Sequence, residues 1–219
     1  MAWSVLTGLK RKNYWTKKPN KPVSLKRMEV LLTRKQHKMY GVSLILAPLL
    51  QFISGFFWVN KEYGVIGGTL LVLSMFFWIP SLIALFDFIK IKFPNYAAWG
   101  LLMAIIGFIS GSNFAMVGVM SDIFDISHET YLKEFENYKL SSNILLFQTG
   151  PLAPLSLLIL GIVMLRTKTV DAFIAILIIT GAILFPVSRI SRTDWIAHVC
   201  DIFLLVPLSI LGTRNLAQK

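Results

Sequence analysis

One cysteine, three histidines and eleven acidic side chains in 219 residues leave little material for several kinds of chemistry. Cys200 alone cannot close an intrachain disulfide, form a Cys-x-x-Cys redox pair or build a thiolate zinc cluster, so the redox compartment leaves no mark. His37, His128 and His198 are too few for the multi-histidine helices of membrane metal hydrolases, and a haem between helices would lack its second axial histidine. No lysine falls inside an apolar run, which excludes a retinal-type Schiff base. The glycines lie in apolar stretches, outside any phosphate-binding or dinucleotide pattern. The expectation is a protein without cofactor or bound metal.

Charge is scarce as well, at 15% of residues, while 55% are hydrophobic and mean hydropathy is +0.66. That balance belongs to a membrane-integrated chain. Six apolar runs, at 41–59, 65–88, 97–120, 144–165, 172–187 and 195–212, approach the roughly 20 residues a spanning helix needs. They predict an all-α polytopic membrane protein, a bundle of six transmembrane helices occupying residues 40–219.

The 22 basic residues are unevenly spread. Eleven lie in an arm over residues 1–39, against Glu29 as its one acid. Leu25, Met28 and Leu32 recur there at helical spacing between lysines and arginines, as in an interfacial helix resting on anionic lipid head groups. The arm has no base-reading fold, so nucleic acid is not an expected partner. The apolar stretch Ala2 to Leu9 precedes the basic residues instead of following them, unlike a secretory leader, and Ala2 offers no myristoylation site. With the arm inside, Lys90, Lys92, Arg166, Lys168, Arg214 and Lys219 join it, giving 17 Lys or Arg inside and five outside. This asymmetry predicts both termini in the cytoplasm and a place in the cell (plasma or inner) membrane. Tyr40, Tyr96 and Trp99 then mark the inner boundary, and Trp58, Tyr63 and Trp195 the outer one.

The third run carries Gly100, Ala104, Gly107, Gly111, Ala115 and Gly118 on one face, a stripe that lets backbones approach and makes this helix central, tightest at Gly107 to Gly111. Outside, residues 121–143 form the one long loop. Tyr131, Leu132, Phe135 and Tyr138 recur at helical spacing after Ser127, which predicts a short amphipathic helix with Ser127 as N-cap, a lid over the bundle or an interfacial anchor. Ala47-Pro48-Leu49 and Ala153-Pro154-Leu155 stand 106 positions apart, as do Pro80 and Pro186, which suggests a 3+3 repeat of inverted halves.

Ionisable groups concentrate in residues 185–201, FPVSRISRTDWIAHVCD. On a helix Asp194, His198 and Asp201 share one face that descends from the outer surface toward mid-membrane. An unpaired aspartate there costs about 2.5–3.5 kcal/mol on insertion scales. Asp201 should therefore be protonated, hydrated or bonded to His198 one turn away, which makes the two a candidate proton-binding centre. Asn113 and Gln148 lie in the outer half of their helices and Gln51 near the middle, so these polar side chains are candidates to line a common outward-facing pocket. Arg189 and Arg192 fall at its rim, where they would snorkel, gate the entrance or receive an anionic head group.

The order Phe185-Pro186, Arg192, His198 and then an apolar helix resembles the last helix pair of small six-helix integral membrane proteins of unknown function, and implies their topology alone. The expected function is that of a multi-pass membrane protein binding or transporting a small or lipid-like molecule. Six helices are few for a monomeric transporter, so that reading implies a homo-oligomer; one alternative is an accessory or assembly subunit, docking a partner membrane subunit through the small-residue stripe and the arm. An intramembrane hydrolase is the other, on Ser110-Gly111 and Ala197-His198. Compared with rhomboid-like serine proteases, however, the serine motif reads Gly-Phe-Ile-Ser-Gly, and Val199, Cys200 and Asp201 stand where glycines would follow the histidine.

Overall fold

An apolar run in hydrocarbon must satisfy its own backbone, and the helix does so without a partner. The computed structural model describes residues 34–59 and 62–217, and each apolar run in it is mainly helical. The interfacial helix expected in the basic arm lies outside the described residues. The elements are α1 (Arg34–Ser54), a hairpin of β1 (Trp58–Val59) and β2 (Glu62–Tyr63), α2 (Val65–Asp87), α3 (Pro94–Ile123), α4 (His128–Asn137), α5 (Lys139–Ser142), α6 (Leu152–Thr167), α7 (Ala172–Ser191) and α8 (Asp194–Ala217). Six spans are long and apolar enough to cross a membrane: Lys35–Phe57, Val65–Asp87, Pro94–Ile123, Lys139–Thr167, Ala172–Ser191 and Asp194–Ala217. The architecture is that of a multi-pass membrane protein. Phe76, Ile109, Ile176 and Ile202 point out from it, exposed, as side chains facing lipid would.

Consecutive spans pack side by side, α1 on α2, α2 on α3, α3 on α6, α6 on α7 and α7 on α8, and α8 returns to α1 to close a ring. Apolar side chains have no preference for one another over lipid tails, so close backbone approach and interhelical hydrogen bonds hold such contacts. At the closure Gly41 and Gly212 face each other so tightly that a methyl on either would meet the other's carbonyl oxygen. Gly107 of α3 lies against the backbone of Ala153 in α6, again with no room for a side chain. The Ser156 hydroxyl donates to the Gly100 carbonyl at 2.6 Å and the Tyr96 hydroxyl to the Ser156 carbonyl at 2.7 Å, tying the same two helices lower down. Gly111, one turn beyond Gly107, behaves differently. Only the Met75 sulfur, at 3.9 Å, comes near the position its Cβ would take.

The fourth span is broken. After α5 the chain makes a π-helical stretch, Asn143–Phe147, and a turn at 148–151 before α6 begins. At the break α3 supplies donors: the Asn113 amide bonds the Leu145 carbonyl at 3.0 Å, and the Ser110 hydroxyl adds a 2.7 Å bond to the Leu146 carbonyl, which also accepts from the Gly150 N–H at 3.3 Å. Irregular backbone at this depth is tolerated where protein covers it or a cavity adjoins it. In the 121–143 connection the Ser127 hydroxyl accepts from the Thr130 N–H and starts α4.

Gly107→Ala should lower stability by about 1–3 kcal/mol, the usual cost of overpacking a tight contact. Gly111→Ala should change it by no more than about 0.5 kcal/mol. Reversible unfolding of both variants in mixed micelles checks the pair.

Candidate functional site

The fifth apolar run ends near Val187 by hydropathy, but its helix continues to Ser191 and takes Arg189 with it. Arg189 therefore leaves the rim and turns inward, its side chain only 20% exposed. Three aromatic rings receive it. Its Cζ lies 5.3 Å from the Trp58 ring, 5.8 Å from Tyr63 and 5.1 Å from Phe185, distances at which a cation is attracted to the ring face. The hairpin builds two sides of this cage, since Trp58 pairs with Tyr63 across its register and their rings meet edge to face at 5.4 Å. Burial holds the Tyr63 hydroxyl above its ordinary pKa.

Asp201 of α8 supplies the counter-charge. It is 1% exposed, and its Oδ1 accepts from Arg189 Nη2 at 3.4 Å and from Gln51 Nε2 at 2.7 Å. Gln51 in turn accepts at Oε1 from Trp78 Nε1 at 3.0 Å, and the Trp78 ring lies 4.4 Å from Phe108. Hydrogen bonds thus run through α7, α8, α1 and α2, and the ring contact carries the chain on to α3. Four buried side-chain atoms have no hydrogen-bond partner among the described residues: Arg189 Nη1, Trp58 Nε1, Asp201 Oδ2 and His198 Nδ1. The Trp58 indole interacts electrostatically with the Tyr63 hydroxyl without reaching hydrogen-bond geometry.

Next to this network the ring of helices borders a partly open cavity of about 450 Å³. Its wall is apolar, with Leu71, Met75, Phe108, Phe114, Leu146 and Phe147, and the bare backbone of Gly111 forms part of it. Polar side chains gather toward the hairpin: Gln51, Trp58, Glu62, Tyr63, Arg189 and Arg192. Tyr131 of α4 joins them, donating to Glu62 Oε1 at 2.9 Å while Arg192 Nη1 donates to the same oxygen at 3.0 Å. Arg192 ends α7 in the left-handed conformation, φ 48°, which directs the chain back toward α8. Burial first, and then the Glu62 carboxylate, push the Tyr131 hydroxyl up to about 12, with Arg192 pulling the other way. A second hollow at the opposite end adjoins Lys168, Asp171 and Arg214, but Arg214 and Asp171 are already paired at 2.6 Å.

Of the residues singled out in the sequence, Gln51, Arg189 and Arg192 line the cavity, and Asp201 stands directly behind Gln51 and Arg189. His198 lies on the same side of α8 but outside the lining. Its ring stacks on Phe56 at 4.2 Å, and a methyl added to Gly55 would stand 3.4 Å from its Nδ1 and 3.9 Å from Asp201 Oδ2. The bond to Asp201 expected from His198 is made by Arg189 and Gln51 instead. Asp194 is exposed at the start of α8, where its charge suits the helix N-terminus. Asn113 and Gln148 are outside the cavity: Asn113 caps the broken fourth span, and Gln148 is exposed in the turn that follows. Ser110 is 1% exposed, engaged with the Leu146 carbonyl, and absent from the lining. No group of three His, Cys, Asp or Glu side chains suited to a metal occurs among the described residues.

The chain matches no family model, no curated protein and no solved structure. The site is therefore read from its own residues. Trp58, Glu62, Tyr63, Trp78 and Tyr131 belong to it and were not expected there. Trp78 alone carried a signal, because an indole N–H in the middle of an apolar helix needs an acceptor.

Asp201→Ala, which strands the guanidinium, should destabilise the protein by about 3–5 kcal/mol, and replacing Arg189 and Asp201 together by Met and Leu should recover much of that loss. Unfolding of the single and double variants measures both. The folded Tyr131 value exceeds its ordinary value near 10, so its contribution to stability is full below about pH 10 and is lost as pH rises toward 12. The difference in tyrosinate absorbance between the protein and Tyr131→Phe should accordingly appear only near pH 12.

Proposed function

We propose that the chain is inserted in a membrane with both termini cytoplasmic and the hairpin end outside, and that it binds, or carries across, a small lipid-like molecule. The observation that carries this reading is the cavity. An apolar wall grading into a cluster of hydrogen-bonding side chains suits a molecule with a tail and a head, and about 450 Å³ lies in the range of roughly 300–1,000 Å³ common for small-ligand sites. The orientation rests on charge, with 17 of 22 Lys and Arg on the side of the arm and the ends of α2, α6 and α8. Asp201, paired to two lining residues, is the protonatable group of the site, and His198 beside it is the second.

Less supports the other readings. The small-residue stripe of α3 is consumed inside the ring, at Gly107 by α6 and at Gly118 by the hairpin, which takes away the docking face of an accessory subunit. A hydrolase would need Ser110 free, and its hydroxyl is committed to a backbone carbonyl.

Gly111→Phe tests the reading, because its ring would enter the cavity from a position with room around it. Mass spectrometry of extracted lipids should find a small amphiphile copurifying with the protein and depleted several-fold from the variant. Equal amounts from both would count against the site. Binding unchanged in both Asp201→Asn and His198→Ala, in protein that still inserts, would remove the proton-sensitive part. For orientation, a membrane-impermeant maleimide should label Glu129→Cys in intact cells and Ile91→Cys only after lysis.

A further inference from the structure

Among the buried side-chain atoms of the cavity lining, those left without a hydrogen bond are donors. Gln51 is used at both ends, by Asp201 and Trp78, and Tyr131 and Arg192 both give to Glu62. Arg189 Nη1 and Trp58 Nε1 remain, both on cavity-lining side chains and neither in a hydrogen bond, although the Trp58 indole interacts electrostatically with the Tyr63 hydroxyl. The other two unpartnered atoms, Asp201 Oδ2 and His198 Nδ1, are on side chains outside the lining, close to Gly55.

Arg189 is also incompletely neutralised. A guanidinium and a carboxylate at their best form two parallel bonds of about 2.7–2.9 Å. Here one nitrogen reaches one oxygen at 3.4 Å, and that oxygen already accepts from Gln51 at 2.7 Å. The three rings fix the guanidinium in place, so a second anion would meet a donor already oriented. The same rings exclude a cationic head group, since the position a quaternary ammonium would take in an aromatic cage holds a positive charge of the protein itself.

We infer that the ligand of this cavity is a single-chain amphiphile with an anionic head, a carboxylate or a phosphate, held by Arg189 Nη1 with Trp58 Nε1 beside it. The inference rests on the cavity reading proposed above and adds the chemistry of the head. The chain lies along Met75, Phe108, Phe114 and Phe147, and about 450 Å³ holds one alkyl chain.

Equilibrium binding of labelled decanoate, decyl phosphate and decanol to the full chain in phosphatidylcholine nanodiscs, with empty discs subtracted, tests this. Decanoate or decyl phosphate should bind at least about tenfold tighter than decanol, and whichever binds tighter identifies the head group. Arg189→Gln should abolish that preference, lowering the anion's affinity at least about tenfold while leaving decanol unchanged, as expected for a lost charge-assisted bond. Arg189→Lys, which keeps the charge without the fork, should fall between. Trp58→Phe keeps the ring that cages Arg189 and loses only the N–H, and should cost a few-fold in anion affinity. If decanol binds as well as the anions, or if Arg189→Gln and Trp58→Phe leave anion affinity intact while Gly111→Phe still blocks binding, the anionic head is overturned and the cavity reading stands. If none of the three ligands saturates and Gly111→Phe changes nothing, the cavity reading fails and takes this inference with it.

Discussion

A guanidinium withdrawn from water must find a carboxylate, and the carboxylate must itself be held, or the desolvation of both charges goes uncompensated. Arg189 and Asp201 meet that demand between α7 and α8, and Gln51 completes it by giving its amide to the same carboxylate oxygen. Because Gln51 then needs a donor for its own carbonyl, Trp78 is fixed, and its ring is set against Phe108. One buried charge pair thereby orients side chains on five helices. The hairpin is tied to the same pair, since the Trp58 and Tyr63 rings lie 5.3 and 5.8 Å from the Arg189 guanidinium carbon.

The division of labour among glycines explains how a ring of six short spans can be tight and still hold a cavity. Gly41, Gly107 and Gly212 let backbones touch, so the ring closes without bulky side chains between neighbours. Gly111 lies on the same face of α3 as Gly107, yet it meets nothing nearer than Met75. The cause is the broken fourth span. Its backbone departs from the helical path at Asn143–Phe147, and α6 resumes only opposite Gly107. Ser110 and Asn113 donate to carbonyls of the break, and the space left over becomes the apolar part of the cavity.

The spans were legible because hydropathy and helix length are physical consequences of composition, and all six sit within a few residues of the apolar runs. Their order around the ring was not, because nothing in one run names its neighbour. Gln51 and Asp201 could be singled out, each being a polar group in an apolar helix. That they bond each other depends on α1 and α8 lying side by side, which only the closed ring provides. Arg189 was misplaced by the hydropathy criterion itself: the run ends where polar residues begin, whereas the helix ends two residues after Arg189, at Ser191, and is capped by a left-handed Arg192. Asn113 read as a pocket residue for a similar reason. The π-helical break that claims it has no hydropathy signature, and Asn143-Ile144-Leu145-Leu146-Phe147 looks like any other stretch of membrane helix.

A polar residue buried in a membrane bundle is usually weighed as either glue or site, and the geometry around Asp201 argues against keeping those apart. Asp201 holds α1, α7 and α8 together through one oxygen and never enters the cavity. Its structural task is to fix Arg189 while leaving Nη1 uncommitted, and a stronger, bidentate pair would do the first and prevent the second. The long 3.4 Å contact is the compromise between them, with the aromatic cage supplying the orientation that the ion pair gives up. On the proposed reading, stability and binding draw on the same side chains but on different atoms of them. Asp201 Oδ1, Arg189 Nη2 and the Gln51 amide serve the fold, and Arg189 Nη1 is left without a hydrogen bond.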